Sequence, residues 1–327
     1  MIHARGLART FRKRKQEVRA VAGVDLDVDA GEIVGFLGPN GAGKTTTLRM
    51  LTTLLVPTEG TATVAGCDLV GDPVGVRRRI GYVSQSGSTA PEARAGEEVV
   101  DHARLYGIST AEATARGHRL FQELDLDGLW DRQPKAMSGG QRRRLDIVMG
   151  LVHQPGLVFL DEPTTGLDPQ ARANLWQHIR GLREERGTTV FLTTHYLDEA
   201  DALCDRILVI DHGSIVAAGT PDQLKSQVGG DVLTVTVERA DQAAEVARLM
   251  ARLPGAEPPQ LTDTRVVGRA PNGGAALVQL VRDLDAEGIA VAGVESRRPS
   301  LDDVFLGLTG RSLREEGQRT PELEVAR

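Results

Sequence analysis

Eight residues near the N-terminus, Gly38-Pro39-Asn40-Gly41-Ala42-Gly43-Lys44-Thr45, leave few folds open. They follow the apolar run at 33–37 and lead into a helical pattern over residues 45–54, so a buried strand turns through glycines into a helix. Glycines let backbone N–H groups point inward around a polyphosphate, and the N-terminus of the following helix adds positive potential. On this reading Asn40, Gly41, Ala42, Gly43, Lys44, Thr45 and Thr46 form a phosphate cradle. Lys44 neutralises the outer phosphates and Thr45 offers its hydroxyl to Mg2+. For a glycine loop without a ligand, both flanks and the Lys-Thr pair would have to be coincidence.

The remaining pattern is α/β. Residues 1–35 alternate apolar and polar positions around a turn at 12–16, as antiparallel strands do. The short apolar runs 157–160, 189–193 and 207–210 read as central strands of a parallel sheet covered on both faces. Residues 92–130 and 141–151 read as a helical subdomain. Composition shifts near 227–230, and a second unit follows: a strand at 232–237, helices at 241–252 and 275–287, and strands at 265–267 and 289–294. Ser300 and Asp303 form a capping box for a last helix at 301–308. The 327 residues suffice for one large and one small domain, expected at 1–228 and 229–310, with a disordered tail at 311–327.

Leu157-Val158-Phe159-Leu160-Asp161-Glu162 ends a buried strand in two carboxylates, and adjacent residues at a strand end can take different tasks. Asp161 is expected to face the Mg2+ and Glu162 to polarise an attacking water. Gln85, after the run 80–83, carries an amide that can meet Mg2+ or water without holding the cation too tightly. His195, just past the strand at 189–193, would bond the terminal phosphate or position Glu162. The arginine runs 77–79 and 142–144 read as solvated helix faces.

Those features describe a P-loop NTPase, a class with many functions. Met137-Ser138-Gly139-Gly140-Gln141, opening the helix Arg142-Arg143-Arg144-Leu145-Asp146, resembles the signature motif of ABC ATPases, with Met137 where Leu is commoner. In order along the chain, Gln85 matches that family's Q-loop, Gly166-Leu167-Asp168 its D-loop and His195 its switch histidine. The resemblance implies a P-loop fold with an antiparallel β subdomain, a parallel α/β core and a helical subdomain, followed here by the small α+β unit. It implies ATP and Mg2+ as ligands and a homodimer in which Ser138, Gly139, Gly140, Gln141 and Asp168 complete the nucleotide site of the opposite copy. Phe11 resembles the family's aromatic adenine platform, and a plain core phenylalanine remains an equal reading.

The ending Arg298-Pro299-Ser300-Leu301-Asp302-Asp303-Val304-Phe305-Leu306-Gly307-Leu308-Thr309-Gly310 is similar to that of daunorubicin-resistance-type ATPase subunits, which serve bacterial drug exporters. That resemblance implies a separate transmembrane permease subunit and work at the cytoplasmic face of the membrane. No uncharged apolar stretch of roughly 20 residues is present to cross a bilayer. A net charge of −6 argues against nucleic acid as a partner, and two cysteines, Cys67 and Cys204, with neither paired metal spacing nor a CxxC motif fit a reduced cytosolic location. The same motor could serve an importer or an exporter of lipid or polysaccharide. A soluble ABC protein acting on ribosomes or DNA is disfavoured by the charge and by the single ATPase unit without a long coiled coil.

Overall fold

The structure, a computed structural model, describes residues 1–13 and 16–310. The tail expected at 311–327 lies outside the described residues. The chain divides between Pro221 and Asp222 into two units.

The first unit holds two sheets. The N-terminal hairpin of β1 (Ile2–Lys13) and β2 (Gln16–Val28) joins β4 (Glu59–Val64) and β5 (Cys67–Asp68) in the antiparallel order β2-β1-β4-β5. Ile2 and Ala4 are buried while His3 and Arg5 are exposed, the period-2 pattern of a half-covered sheet. The second sheet has the order β10-β9-β3-β8-β7-β6. Its parallel strands are β3 (Ile33–Leu37), β6 (Ile80–Val83), β7 (Leu157–Asp161), β8 (Thr189–Thr194) and β9 (Arg206–Asp211), and β10 (Ser214–Gly219) runs antiparallel at one edge. β3, β7 and β8 are buried at every residue, so each can be apolar throughout. Phe191 of β8 packs between Phe36 and Phe159 of its two neighbours, with ring centroids 5.6 and 5.7 Å apart.

This strand order sets the C-terminal ends of β3, β8 and β7 side by side, with Leu37 paired to Thr194 and Asp161 to Thr193. In open parallel sheets that edge is where ligands bind. Helices α1 (Lys44–Leu51), α2 (Pro73–Arg79), α6 (Pro169–Arg186) and α7 (Leu197–Leu203) belong to this core, and α3 (Ala95–Leu105), α4 (Thr110–Glu123) and α5 (Gly139–Leu151) form the helical part. α1 closes three residues sooner than the sequence pattern predicts. Thr53 turns left-handed (φ 62°), and the amides of Leu54 and Leu55 both reach back to the Arg49 carbonyl.

His153, just beyond α5, stacks on Tyr106 at a centroid distance of 3.9 Å and bonds the Ile80 carbonyl through Nε2 at 2.9 Å. Burial, with the nearby His102 and Arg116 charges adding to it, lowers its pKa to about 4, although the bond to Ile80 opposes the shift. The folded protein thus favours neutral His153, whereas the unfolded chain takes up the proton near pH 6.5. Stability is fully present above about pH 6.5 and falls as the pH drops toward about 4. Urea midpoints measured at about pH 7 and about pH 5 should differ less in His153→Gln, which keeps a donor for Ile80 and does not titrate; an unchanged difference would exclude His153 as a source.

The second unit runs β11 (Asp231–Val237), a 3-10 turn (Ala240–Gln242), α9 (Ala243–Ala251), β12 (Gln260–Thr262), β13 (Arg265–Ala270), α10 (Gly273–Ala286) and β14 (Val291–Arg297). The antiparallel order β12-β13-β11-β14 makes it a β-α-β-β-α-β layer of ferredoxin-like topology. Leu233, Val235 and Val237 alternate toward a core with Val246, Leu249, Met250, Leu280 and Leu284 from the helices. α8 (Pro221–Gln227) leads into this unit and α11 (Leu301–Thr309) ends it, opened by the Ser300 capping box. Val232 has Arg269 and Arg297 as its two cross-strand partners, and both guanidiniums bond the Asp303 carboxylate of α11, the shortest contact being 2.6 Å. Burial alone would raise the Asp303 carboxyl, but Arg297 and Ser300 hold it well below the usual carboxylate range.

Candidate active site

The cradle forms because the loop after β3 winds back onto the start of α1. Gly43 caps α1 with φ 104°, and a Cβ there would lie 2.6 Å from the Ala20 carbonyl oxygen, so no other residue fits. Lys44 follows with a buried side chain whose Nζ donates to the carbonyls of Gly38 (2.7 Å) and Pro39 (3.0 Å). Its Nζ also stands 3.5 Å from Glu162 Oε1. Burial lowers the Lys44 pKa below the ordinary lysine value, while the Glu162 carboxylate opposes the shift.

Asp161 ends β7 with Oδ1 accepting from Thr193 Oγ1 (2.6 Å) and Thr45 Oγ1 (3.2 Å). A hydroxyl and a carboxylate oxygen so close together are the hard donors that Mg2+ prefers. The Thr193 hydroxyl in turn accepts from the Glu162 N–H at 3.0 Å. Glu162 itself has φ 44°, a left-handed conformation costly for a side chain with a Cβ and concentrated at functional sites. The turn aims its carboxylate at the cleft. Oε2 accepts from Gln85 Nε2 (2.8 Å) and Thr165 Oγ1 (3.2 Å), with His195 Nδ1 3.3 Å away. Burial would raise the Glu162 pKa, but His195, the Lys44 charge and Thr165 together bring it below the ordinary glutamate value. It is a carboxylate at neutral pH, able to accept a proton.

The structure brings Asn40, Gly41, Gly43, Lys44, Thr45 and Thr46 together with Gln85, Glu162 and His195 around one cleft of about 540 Å3. Ala42 is buried behind the loop and Asp161 behind Thr45. Ala20 and Thr165 also line the cleft. Neither stands out in the sequence: Ala20 is an ordinary strand residue, and Thr165 reaches the cleft only because the chain folds back after Glu162. Thr193 is equally hidden inside an apolar run.

Other residues singled out in the sequence do not line this cleft. Ser138 caps α5, accepting from the Gln141 N–H (3.2 Å) while Gln141 Oε1 accepts from the Ser138 N–H (2.9 Å), and Ser138 and Gly139 are exposed, with Gly140 half-buried beside them. Asp168 caps α6 by accepting from the Ala171 N–H at 2.9 Å. Phe11 is 39% exposed, with the Arg9 guanidinium 4.9 Å from its ring centroid. Of the arginines read as a solvated face, Arg142 is exposed at the helix surface, but Arg144 is half-buried against Asn174 and Arg143 is buried. The α5 turn carries Arg143 inward, onto the backbone that flanks Glu162.

Known proteins resemble this chain in sequence and in fold. The family model described as ABC transporter matches residues 21–165, and that described as ATP-binding protein DrrA1-3-like, C-terminal domain, matches residues 219–309. The daunorubicin resistance ATP-binding protein DrrA2 of Streptomyces coeruleorubidus is 43% identical over 304 residues, 93% of this chain and 94% of that protein. The daunorubicin/doxorubicin resistance ATP-binding protein DrrA of Streptomyces peucetius is 45% identical over 292 residues, 89% of this chain and 88% of that one. Among solved structures, a dimeric post-hydrolysis state of the ATP-binding cassette MJ0796 bound to ADP and Pi matches with a TM-score of 0.62 at 27% identity, covering 67% of this chain and 98% of that one. The chain is a P-loop ATPase that belongs to the ATP-binding subunits of ABC transporters, in the group of the daunorubicin and doxorubicin resistance proteins.

Proposed function

We propose that this chain is the motor of a bacterial exporter, hydrolysing Mg-ATP at two sites shared between two copies to expel a drug or other hydrophobic compound. The compound leaves through a separate membrane permease, and the chain works at the cytoplasmic face of the membrane. Among the described residues no helix is long and apolar enough to cross a membrane. The names of its relatives support the cargo class.

One observation carries the motor reading: Glu162 is grouped with Lys44, Gln85 and His195 in one cleft, while the Ser138 helix tip stands exposed outside it. A helix N-terminus bearing a serine and glycines is an anion site, and the terminal phosphate it takes is that of the partner's nucleotide. Within each cleft the loop amides and Lys44 hold the phosphates. Glu162 accepts a proton from the attacking water, which Gln85 and His195 help to orient. Thr45 and Asp161, with Gln85 beside them, would hold Mg2+, which supplies positive charge to the outer phosphate oxygens. Phe11 offers a ring for the adenine.

A mixture of two inactive variants tests this. Ser138→Arg spoils the tip that a chain lends, and Lys44→Ala spoils the cradle that a chain keeps. Alone, each should hydrolyse almost nothing. Mixed, they form a heterodimer with one intact composite site, and about a quarter of the parental ATPase activity should return if subunits assort at random. Efflux from cells carrying the permease should recover with it, and a mixture that stays wholly inactive would argue against shared sites.

A further inference from the structure

Arg143 is the buried cation of α5, with a side chain 8% exposed. Its guanidinium donates in three directions to three backbone carbonyls: Nε to Pro163 (2.8 Å), Nη2 to Asp161 (2.9 Å) and Nη1 to Ser84 (2.6 Å). Asp161 and Pro163 flank Glu162, and Ser84 precedes Gln85, so one side chain grips the backbone beside both groups that meet at Glu162 Oε2. One turn further along α5 the buried Asp146 stands 4.0 Å from Arg143 Nη1, and its Oδ1 accepts from the Ser88 N–H at 2.9 Å. The segment around Gln85 is thereby held on both sides, at Ser84 by Arg143 and at Ser88 by Asp146. Ser138 caps the same helix only five residues before Arg143, about 7.5 Å along its axis.

We propose that Arg143, backed by Asp146, is a positioning residue for ATP hydrolysis: it ties Gln85 and Glu162 to the helix whose tip bears Ser138. This deepens the motor reading above and rests on it. The chemistry suits the task. A guanidinium presents five N–H donors in a rigid plane and can satisfy three carbonyls in fixed directions, whereas a lysine ammonium is a point charge on a flexible stem. A displacement of the helix tip on meeting the partner's phosphate is transmitted to Glu162 and Gln85 through a buried rod of hydrogen bonds rather than lost in a loop. Misplacing reacting groups by about 1 Å costs on the order of 100-fold in rate.

The test uses the full chain with Mg-ATP, and Glu162→Gln as the reference for the site itself. Arg143→Met should lower kcat about 10- to 100-fold while ATP affinity, measured by equilibrium binding to the same preparation, stays within about threefold. Arg143→Lys should be impaired as well, and it carries the test if the methionine variant does not fold. In a Gln85→Ala background, Arg143→Lys should cost clearly less than in the parent, because part of its effect passes through Gln85. If Arg143→Lys kept kcat within about twofold of the parent, the charge would be sufficient and the proposal overturned. So would it be by a loss of ATP affinity in step with kcat, or by penalties from Gln85→Ala and Arg143→Lys that multiply fully. Near-normal turnover of Glu162→Gln would instead remove the motor reading on which the proposal stands.

Discussion

Glu162→Gln should bind ATP normally, hydrolyse it about 10²- to 10⁴-fold more slowly, and accumulate as a nucleotide-bound dimer. Glutamine keeps the size of the side chain and an oxygen that can accept from Thr165 and Gln85, so the cleft keeps its shape. What it loses is the capacity to take a proton, which the His195, Lys44 and Thr165 contacts preserve in the parent by keeping Glu162 ionised. Phosphate release measured beside size-exclusion chromatography with and without ATP separates the two effects. In cells that also carry the permease, the variant should confer no resistance. Near-normal turnover would take the proton-accepting role from Glu162.

Lys44→Ala should weaken ATP binding by about 100-fold or more, because the ammonium stands at the base of the cradle and each hydrogen bond to a charged group contributes about 1.5–3 kcal/mol. Losing the contacts proposed for it with the outer phosphates is therefore costly. Truncation also leaves the buried Glu162 carboxylate without the ammonium 3.5 Å away, and the negative charge of Glu162 and Asp161 then repels the incoming phosphates. Equilibrium binding of a fluorescent nucleotide reads the effect directly. An affinity within about threefold of the parent would show that the cradle does not depend on this side chain.

Much of the candidate cleft was legible because the pattern read as a phosphate loop is local in the sequence. Gly43 must be glycine where the loop meets Ala20, Lys44 and Thr45 must open the helix, and Asp161 and Glu162 must end a strand. Each requirement is met within a few consecutive residues, so the order of residues alone exposes it. The unread parts come from distant segments meeting in space. Thr193 reaches Asp161 and Glu162 only through the β7 and β8 register, and Thr165 reaches Glu162 through a turn with no marked motif. Arg143 was the clearest misreading. A run of three arginines on a helix reads as a wet face, yet the middle one is desolvated because three carbonyls and Asp146 wait for it. The α/β core and the α+β unit followed from apolar periodicity, but β12, only three residues long and exposed throughout, left no pattern to see.

The left-handed backbone at Glu162 sets the needs of the fold against those of the chemistry at a single position. Glycine would sit there without complaint and asparagine with little, whereas glutamate must be forced by the grip of Thr193 on its amide. The backbone alone would not choose a glutamate at this position, so the side chain there answers to the proton-accepting role proposed for it rather than to the fold.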